Sequence, residues 1–229
     1  MKLKLKNGRL SEVSDDTLIE ANKKFLSEAT YVEKISFDNL RFAHDYFLSC
    51  APLKHLRLPK LEEFSDHCLY NCIYIETVDL PNLRKTGSSC FPMSMKLSRA
   101  NFPKLEEVGD YFLSINKELK NIDFPNLVKA GDYFLNANNG ENKIFFPKLE
   151  TVGDFFFTTS KCVEEVSFPE LTSVGKNFMA VSTKLKKASF PKLEFAKEGF
   201  LTYSRDRPVD IEIKKDLIDV GFVFQKTYG

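Results

Sequence analysis

The sequence predicts an α/β, right-handed solenoid of 22-residue units, with one parallel β-sheet face and short helical or turn segments on the other. Three observations carry the prediction. Pro59, Pro81, Pro103, Pro125, Pro147, Pro169 and Pro191 stand 22 residues apart at every step, with Asp38 in the equivalent place 21 residues before the first. A second column, Phe25, Phe47, Leu69, Phe91, Phe112, Phe134, Phe156, Phe178, Phe200 and Phe222, keeps the same spacing apart from one 21-residue step. Gly109, Gly131, Gly153 and Gly175 form a third, and all but the last precede Asp.

Residues 119–134 (LKNIDFPNLVKAGDYF) display the unit most plainly. Before proline, apolar and polar residues alternate, as in Val78-Asp79-Leu80 and Val166-Ser167-Phe168, the period of a short half-buried strand. Proline removes a ladder donor and so belongs where the strand ends and the chain turns away. Leu follows at the second position and Val or Ala at the fifth. Glycine then permits a tight bend, Asp can cap a following helical turn, and the aromatic behind it returns inward. One such unit cannot bury its own apolar side, whereas stacked units share a continuous core.

The ends need covering, because a bare terminal rung exposes core and a strand edge. Residues 1–24 are expected to be an N-terminal cap. Its parts are a strand within 2–10 with an Asn7-Gly8 turn, then a short helix from an N-cap Ser14, through Asp15-Asp16, toward Ala29. The solenoid would span 25–208. Residues 209–229 would form a C-terminal capping rung, with a last strand at 209–213 and a further unit begun at Leu217. Either Phe222, Phe224 and Tyr228 cover that rung and leave a monomer, or the end pairs with a second copy.

Composition agrees with a recurrent structural slot. There are 22 Phe and no Trp; six Phe fill the strand position before proline and nine more fill the second column. The 33 Lys plus Arg nearly cancel 32 Asp plus Glu, so no global charge favours nucleic acid or an anionic membrane. The apolar runs fall far short of the roughly 18 residues of a membrane span. Residues 1–10 lack the continuous apolar stretch of a secretory signal, which makes a cytoplasmic location the expectation. Five cysteines, an odd number, read as reduced thiols.

The unit resembles the BspA-like leucine-rich repeats, whose pattern runs L-x-x-V-x-x-P-x-x-V-x-x-I-G-x-x-A-F-x-x-C-x-x-L. Phe47-Leu48-Ser49-Cys50-Ala51-Pro52-Leu53 matches its F-x-x-C-x-x-L end, Val108-Gly109-Asp110-Tyr111-Phe112 its middle, and the likeness extends over residues 25–224. The resemblance implies a leucine-rich-repeat fold and, in function, adhesion to a host or matrix protein.

Stacking turns columns of sequence into stripes of surface. The column Arg41, Glu62, Arg84, Glu106, Val128, Glu150 and its neighbour Phe42, Glu63, Lys85, Glu107, Lys129, Thr151 alternate in sign, as expected of solvated ladders that favour correct register. On the strand face the exposed residues are Lys34 with Ser36, His55 with Arg57, Thr77 with Asp79, Arg99 with Asn101, Asn121 with Asp123, Lys143 with Phe145, Glu165 with Ser167 and Lys187 with Ser189. Their charge and size vary while the core columns hardly change, so this face is the candidate surface for a protein partner. The residues expected to carry it are His55, Arg57, Asp79, Arg99, Asn101, Asp123, Lys143, Phe145 and Glu165, with Phe145 as its apolar centre.

Catalytic signals are poor: three histidines, no nucleophile motif and no phosphate loop. No enzyme activity, cofactor or metal is expected. His44, His67, Cys50, Cys68, Cys72 and Cys90 fall in adjacent rungs, yet Cys50 and Cys72 share a column with Ser94, Ile115, Ala137, Thr159 and Val181. Cys68 and Cys90 stack as neighbours, and small-residue packing explains all four better than zinc. Tyr111, Tyr133 and Phe155 form an aromatic column that either supports the convex side or faces a sugar or peptide. The expected function is therefore a non-enzymatic protein-binding module. An intracellular inhibitor or adaptor, an adhesin and a carbohydrate binder are the alternatives.

Overall fold

The computed structural model describes residues 1–120, 123–138, 143–159, 161–202 and 209–213. Each coil lays down two short parallel strands and one run of turns. The front strands are Arg9–Ser14, Lys34–Ser36, His55–Arg57, Thr77–Asp79, Arg99–Asn101, Lys143–Phe145, Glu165–Ser167, Lys187–Phe190 and Asp210–Ile213. They join in three parallel stretches along one side. A second sheet, of nine two-residue strands from Glu20–Ala21 to Phe195–Ala196, runs unbroken beside it.

The architecture is thus a β-solenoid of about nine coils with two sheet faces, and among the described residues there is no helix. This corrects the α/β class and the helical segments expected opposite a single sheet. Many of each coil's amides bond to the coils beside it, as Arg84 N does to Glu62 O (2.8 Å) and Glu106 N to Arg84 O (2.8 Å), and those that bond within a coil close single turns, as Phe47 N does to His44 O (3.2 Å), so no helical ladder forms. Proline behaves as expected. It follows the strand at the second position of a tight turn, as in Leu58 to Leu61, whose ends bond at 3.3 Å, and its fixed φ suits that place.

The third side is a run of overlapping turns in which every second residue has positive φ: Tyr46, Leu48 and Cys50 (61°, 53°, 60°), then His67, Leu69 and Asn71, and so on up the molecule. Such residues cost about 1–2 kcal/mol each in isolation. Here the alternation aims successive amides at opposite neighbours. Tyr111 N and Ile115 N donate to the next coil, at Asp132 O and Asn136 O, while Leu113 N between them donates back to Cys90 O.

Glycine and aspartate do other work than predicted. Gly131 does not have positive φ. A Cβ on it would stand 2.7 Å from Asp110 N and from Gly109 C of the coil before, so the glycine column exists for close approach between coils. Nor does Asp cap a helical turn. Asp110 Oδ1 accepts the amide of Asp132 (2.8 Å), Asp132 Oδ1 that of Asp154 (2.7 Å), and Asp154 Oδ1 that of Lys176 (2.8 Å), a carboxylate ladder along the solenoid.

Phenylalanine fills the core. Phe102, Phe124, Phe146, Phe168 and Phe190 stack with successive centroids 5.6–6.0 Å apart, and Phe112, Phe134, Phe156 and Phe178 meet them edge-on. One stretch of the predicted column was out of register. The buried ring position runs Phe25, Phe47, Cys68, Cys90, Phe112, whereas Leu69 and Phe91 belong to the positive-φ position one residue later. The 21-residue step therefore lies between Phe47 and Cys68, alongside the Asp38 to Pro59 step. Phe64, where neighbouring coils have Ala43 and Thr86, fills the volume the small thiol leaves, packing 6.1 Å from Phe47 and 6.0 Å from Phe91.

At the N-terminus, Lys2–Lys6 and Arg9–Ser14 form a hairpin across Asn7-Gly8, both with positive φ (53° and 74°). The helix expected from Ser14 is absent. Asp15 Oδ1 takes the Thr17 amide and hydroxyl instead, and the chain enters a regular coil, with Asp15 N donating to Ser36 O. Asp210–Ile213 pairs with Lys187–Phe190 as a last described strand; the remainder of the proposed C-terminal rung, 214–229, lies outside the described residues.

Candidate interaction surface

The front face is built two side chains per strand, because the middle residue of each, such as Leu56, Val78 or Ile144, is buried and its neighbours point outward. Register places His55, Thr77 and Arg99 in one row, and Arg57, Asp79 and Asn101 in another. Higher up, Lys143 aligns with Glu165 and Lys187, and Phe145 with Ser167 and Ser189. Asp123 is exposed between the two groups but lies outside any strand. The predicted residues therefore share one side of the molecule in two clusters.

Within each cluster most polar groups already have partners. Asp79 accepts from Arg57 Nε (3.1 Å) and Asn101 Nδ2 (2.8 Å), His55 Nδ1 meets Thr77 Oγ1 (2.9 Å), and Lys143 pairs with Glu165 (2.9 Å). The variation noted in the sequence is partly complementarity between coils. Arg99, like Asp123 and Lys187, is exposed with no side-chain partner among the described residues, and Phe145 keeps 57% of its surface in water.

The side face carries the alternating ladder. Arg41 grips Glu62 with two bonds of 2.9 Å, Arg84 meets Glu106 (2.6 Å), and Lys85 meets Glu107 (3.2 Å). The bonds from Arg41 hold the Glu62 carboxyl below its ordinary pKa. A further ladder, which the sequence reading missed, follows proline: Lys60, Lys104 and Lys148 each donate to the Asn one coil earlier (Asn39, Asn82, Asn126; 2.6–2.7 Å).

Among the described residues no group of three or more His, Cys, Asp or Glu is arranged to hold a metal. His44 meets Glu20 at 2.5 Å, and His67 stacks on Tyr46. All five thiols are free. Cys72 is buried and donates to Leu48 O (3.2 Å), in a column with Ala51, Ser94, Asn116, Asn138 and Ser182; Cys50 occupies the exposed-side column before it. Burial pushes the Cys72 thiol up to about 12 and raises Cys90 as well. In the turn region Tyr111, Tyr133 and Phe155 lie flat on one another at 4.6 and 4.7 Å, tilted by only 5° and 9°. Their inner ring faces are occupied by each other, as in a supporting column, while Tyr111 keeps 43% of its surface exposed.

No helix of the described residues is long and apolar enough to cross a membrane. No curated protein matches the chain. A leucine-rich repeat protein from Bacteroides ovatus ATCC 8483, known from its crystal structure, superposes with a TM-score of 0.66 at 17% identity over 89% of this chain. The overlap spans 61% of that longer protein. A leucine rich cell surface protein from Faecalibacterium prausnitzii A2-165 aligns over 90% of this chain and 88% of its own at 9% identity, with a TM-score of 0.31. The model of the BspA type leucine-rich repeat region matches residues 40–147 and 130–221, in six copies, and with the coil geometry above it establishes that the chain belongs to that family.

Proposed function

We propose that the chain is a non-enzymatic protein-binding module whose front face engages its partner around Arg99 and Phe145. The observation that carries this reading is the exposure of Phe145 in a face whose other groups are mostly satisfied from coil to coil. Aromatic and arginine side chains dominate binding energy where they are left free to be desolvated by a partner. His55, Arg57, Asp79, Asn101, Asp123, Lys143 and Glu165 would form a polar rim around these two. The four parallel front strands from Lys143–Phe145 to Asp210–Ile213 alone span about 14 Å at about 4.8 Å per strand, and the other stretches along the same side extend the face to the size a standard protein interface needs.

The test is quantitative capture from the native cell by immobilised wild type and by the double variant Arg99→Glu, Phe145→Ala. Proteins retained by the first and lost at least tenfold from the second support the face. An identical set from both refutes it.

A further inference from the structure

The aromatic stack on the turn side has a missing step. Its column runs Tyr46, His67, Ser89, Tyr111, Tyr133, Phe155, one residue per coil, all at the first positive-φ position. Tyr46 and His67 stack at 4.7 Å, and Tyr111, Tyr133 and Phe155 continue at 4.6 and 4.7 Å. Between them Gly87-Ser88-Ser89 replaces the Gly-Asp-aromatic of the next three coils. The coils do not close up there: Gly87 N to Phe64 O is 2.8 Å, Ser89 N to Asp110 O 2.6 Å, and Gly109 N to Thr86 O 3.0 Å. His67 and Tyr111 therefore face each other across two steps, about 9 Å between ring centres, room for one planar group in stacking contact with both. Tyr111 is correspondingly 43% exposed, more than either ring above it.

The flanks choose the occupant. Asp66 sends Oδ1 to the Ser88 amide (2.7 Å), so its carboxylate lies at the level of the gap, and Asp110 borders the coil above. Neither has a cationic partner among the described residues, unlike Asp45, which Lys23 neutralises, or Asp154, which Lys197 does. Tyr70 stands edge-on to His67, 5.8 Å away. A planar cation satisfies both the ring faces and the acids, and among side chains that is arginine.

We propose that the Ser89 gap is a binding slot for an arginine side chain of a protein partner, its guanidinium stacked between His67 and Tyr111 and hydrogen-bonded along its edge by Asp66. The site is independent of the front face. The experiment titrates the full chain with the acetylated, amidated tripeptide Gly-Arg-Gly, following ring signals of His67 and Tyr111 by NMR, with Gly-Lys-Gly and Gly-Phe-Gly as comparisons. Binding of a single side chain is expected in the millimolar range. The arginine peptide should shift both rings, and Tyr111→Ala should weaken it about two- to fivefold. Ser89→Tyr, which restores the side chain of neighbouring coils, should abolish the response. Should Ser89→Tyr fail to fold, Tyr111→Ala alone decides. Equal shifts from the lysine peptide, preference for the phenylalanine peptide, a response surviving Ser89→Tyr, or none up to about 10 mM would each overturn the proposal.

Discussion

Replacing Gly131 by alanine separates two explanations of the glycine column by sign. If glycine were present for bending, alanine at a position without positive φ would stabilise the chain by about 0.4–1 kcal/mol, through the unfolded state. The geometry predicts the reverse. The new Cβ would stand 2.7 Å from Asp110 N and Gly109 C, where carbon contacts settle near 3.5–4.0 Å, so the coils must part by roughly 1 Å. That movement breaks Gly131 N to Val108 O (3.0 Å), worth about 1 kcal/mol, and Asp132 N to the Asp110 carboxylate (2.8 Å), worth about 2 kcal/mol. Less the unfolded-state gain, the net loss is about 2–3 kcal/mol. Gly8→Ala is the control: nothing lies within 4 Å of its Cβ, and only the positive φ (74°) opposes alanine, at about 1 kcal/mol. Urea unfolding followed by circular dichroism and by tyrosine fluorescence reads both variants and checks that the probes coincide. A neutral or stabilising Gly131→Ala would refute the close-approach argument.

Other substitutions probe the remaining parts of the coil. Phe64→Ala should cost about 3–4 kcal/mol and Cys68→Phe alone about 1–3, while the double variant rebuilds the arrangement of the neighbouring coil; the double-mutant cycle should give a favourable coupling of at least about 1 kcal/mol, and additivity would count against the exchange of volume between them. Lys24→Gly, at an exposed residue with φ of 62°, should raise stability by up to about 1 kcal/mol, where glycine within a helix would lower it; a lower urea midpoint would contradict the positive-φ turn. Alkali should destabilise the protein. A thiol raised to about 12 in the fold but ordinary when unfolded confers stability below about pH 8.5–9 that fades as pH rises toward 12, by up to about 1.4 kcal/mol per pH unit. Cys72→Ala, matching Ala51 of the preceding coil, should flatten that fall between about pH 9 and 11, and parallel curves would dismiss the Cys72 contribution.

The solenoid was legible because its columns repeat side chains: proline, the strand alternation and the inward rings each state their place in every coil. The second sheet was not, since a two-residue strand such as Glu107–Val108 buries one side chain and shows no period of two. The positive-φ run was hidden for a different reason. Glycine and asparagine usually announce that conformation, whereas here Tyr46, Leu48 and Phe157 adopt it because bonds to both neighbouring coils depend on it. Ring size alone misplaces Leu69 and Phe91, and Phe64, four residues before Cys68, is the compensating signal. On the front face, reading each strand alone suggested free variety; comparing residues 22 apart would have exposed Arg57 with Asp79 and Lys143 with Glu165 as partners.

That last comparison gives a general handle on function in this chain. A solenoid of this kind satisfies itself from coil to coil: amide with carbonyl, carboxylate with amide, arginine with glutamate, ring upon ring. Many side chains pair with the coil beside them, as Arg41 does with Glu62 and Arg84 with Glu106, and such pairs commit surface to the fold itself. Where one coil fails to answer the next, binding capacity is left over, and among the described residues of the front sheet and the turns it includes Arg99 with no acid paired to it, Phe145 beside Ser167, and Ser89 in place of a ring. The first two lie on the front sheet and the third on the turns, so a single flat partner cannot contact them all through one face of the solenoid. Loss of binding on changing Phe145 and loss on filling the Ser89 gap should consequently be separable, each variant leaving the other contact intact.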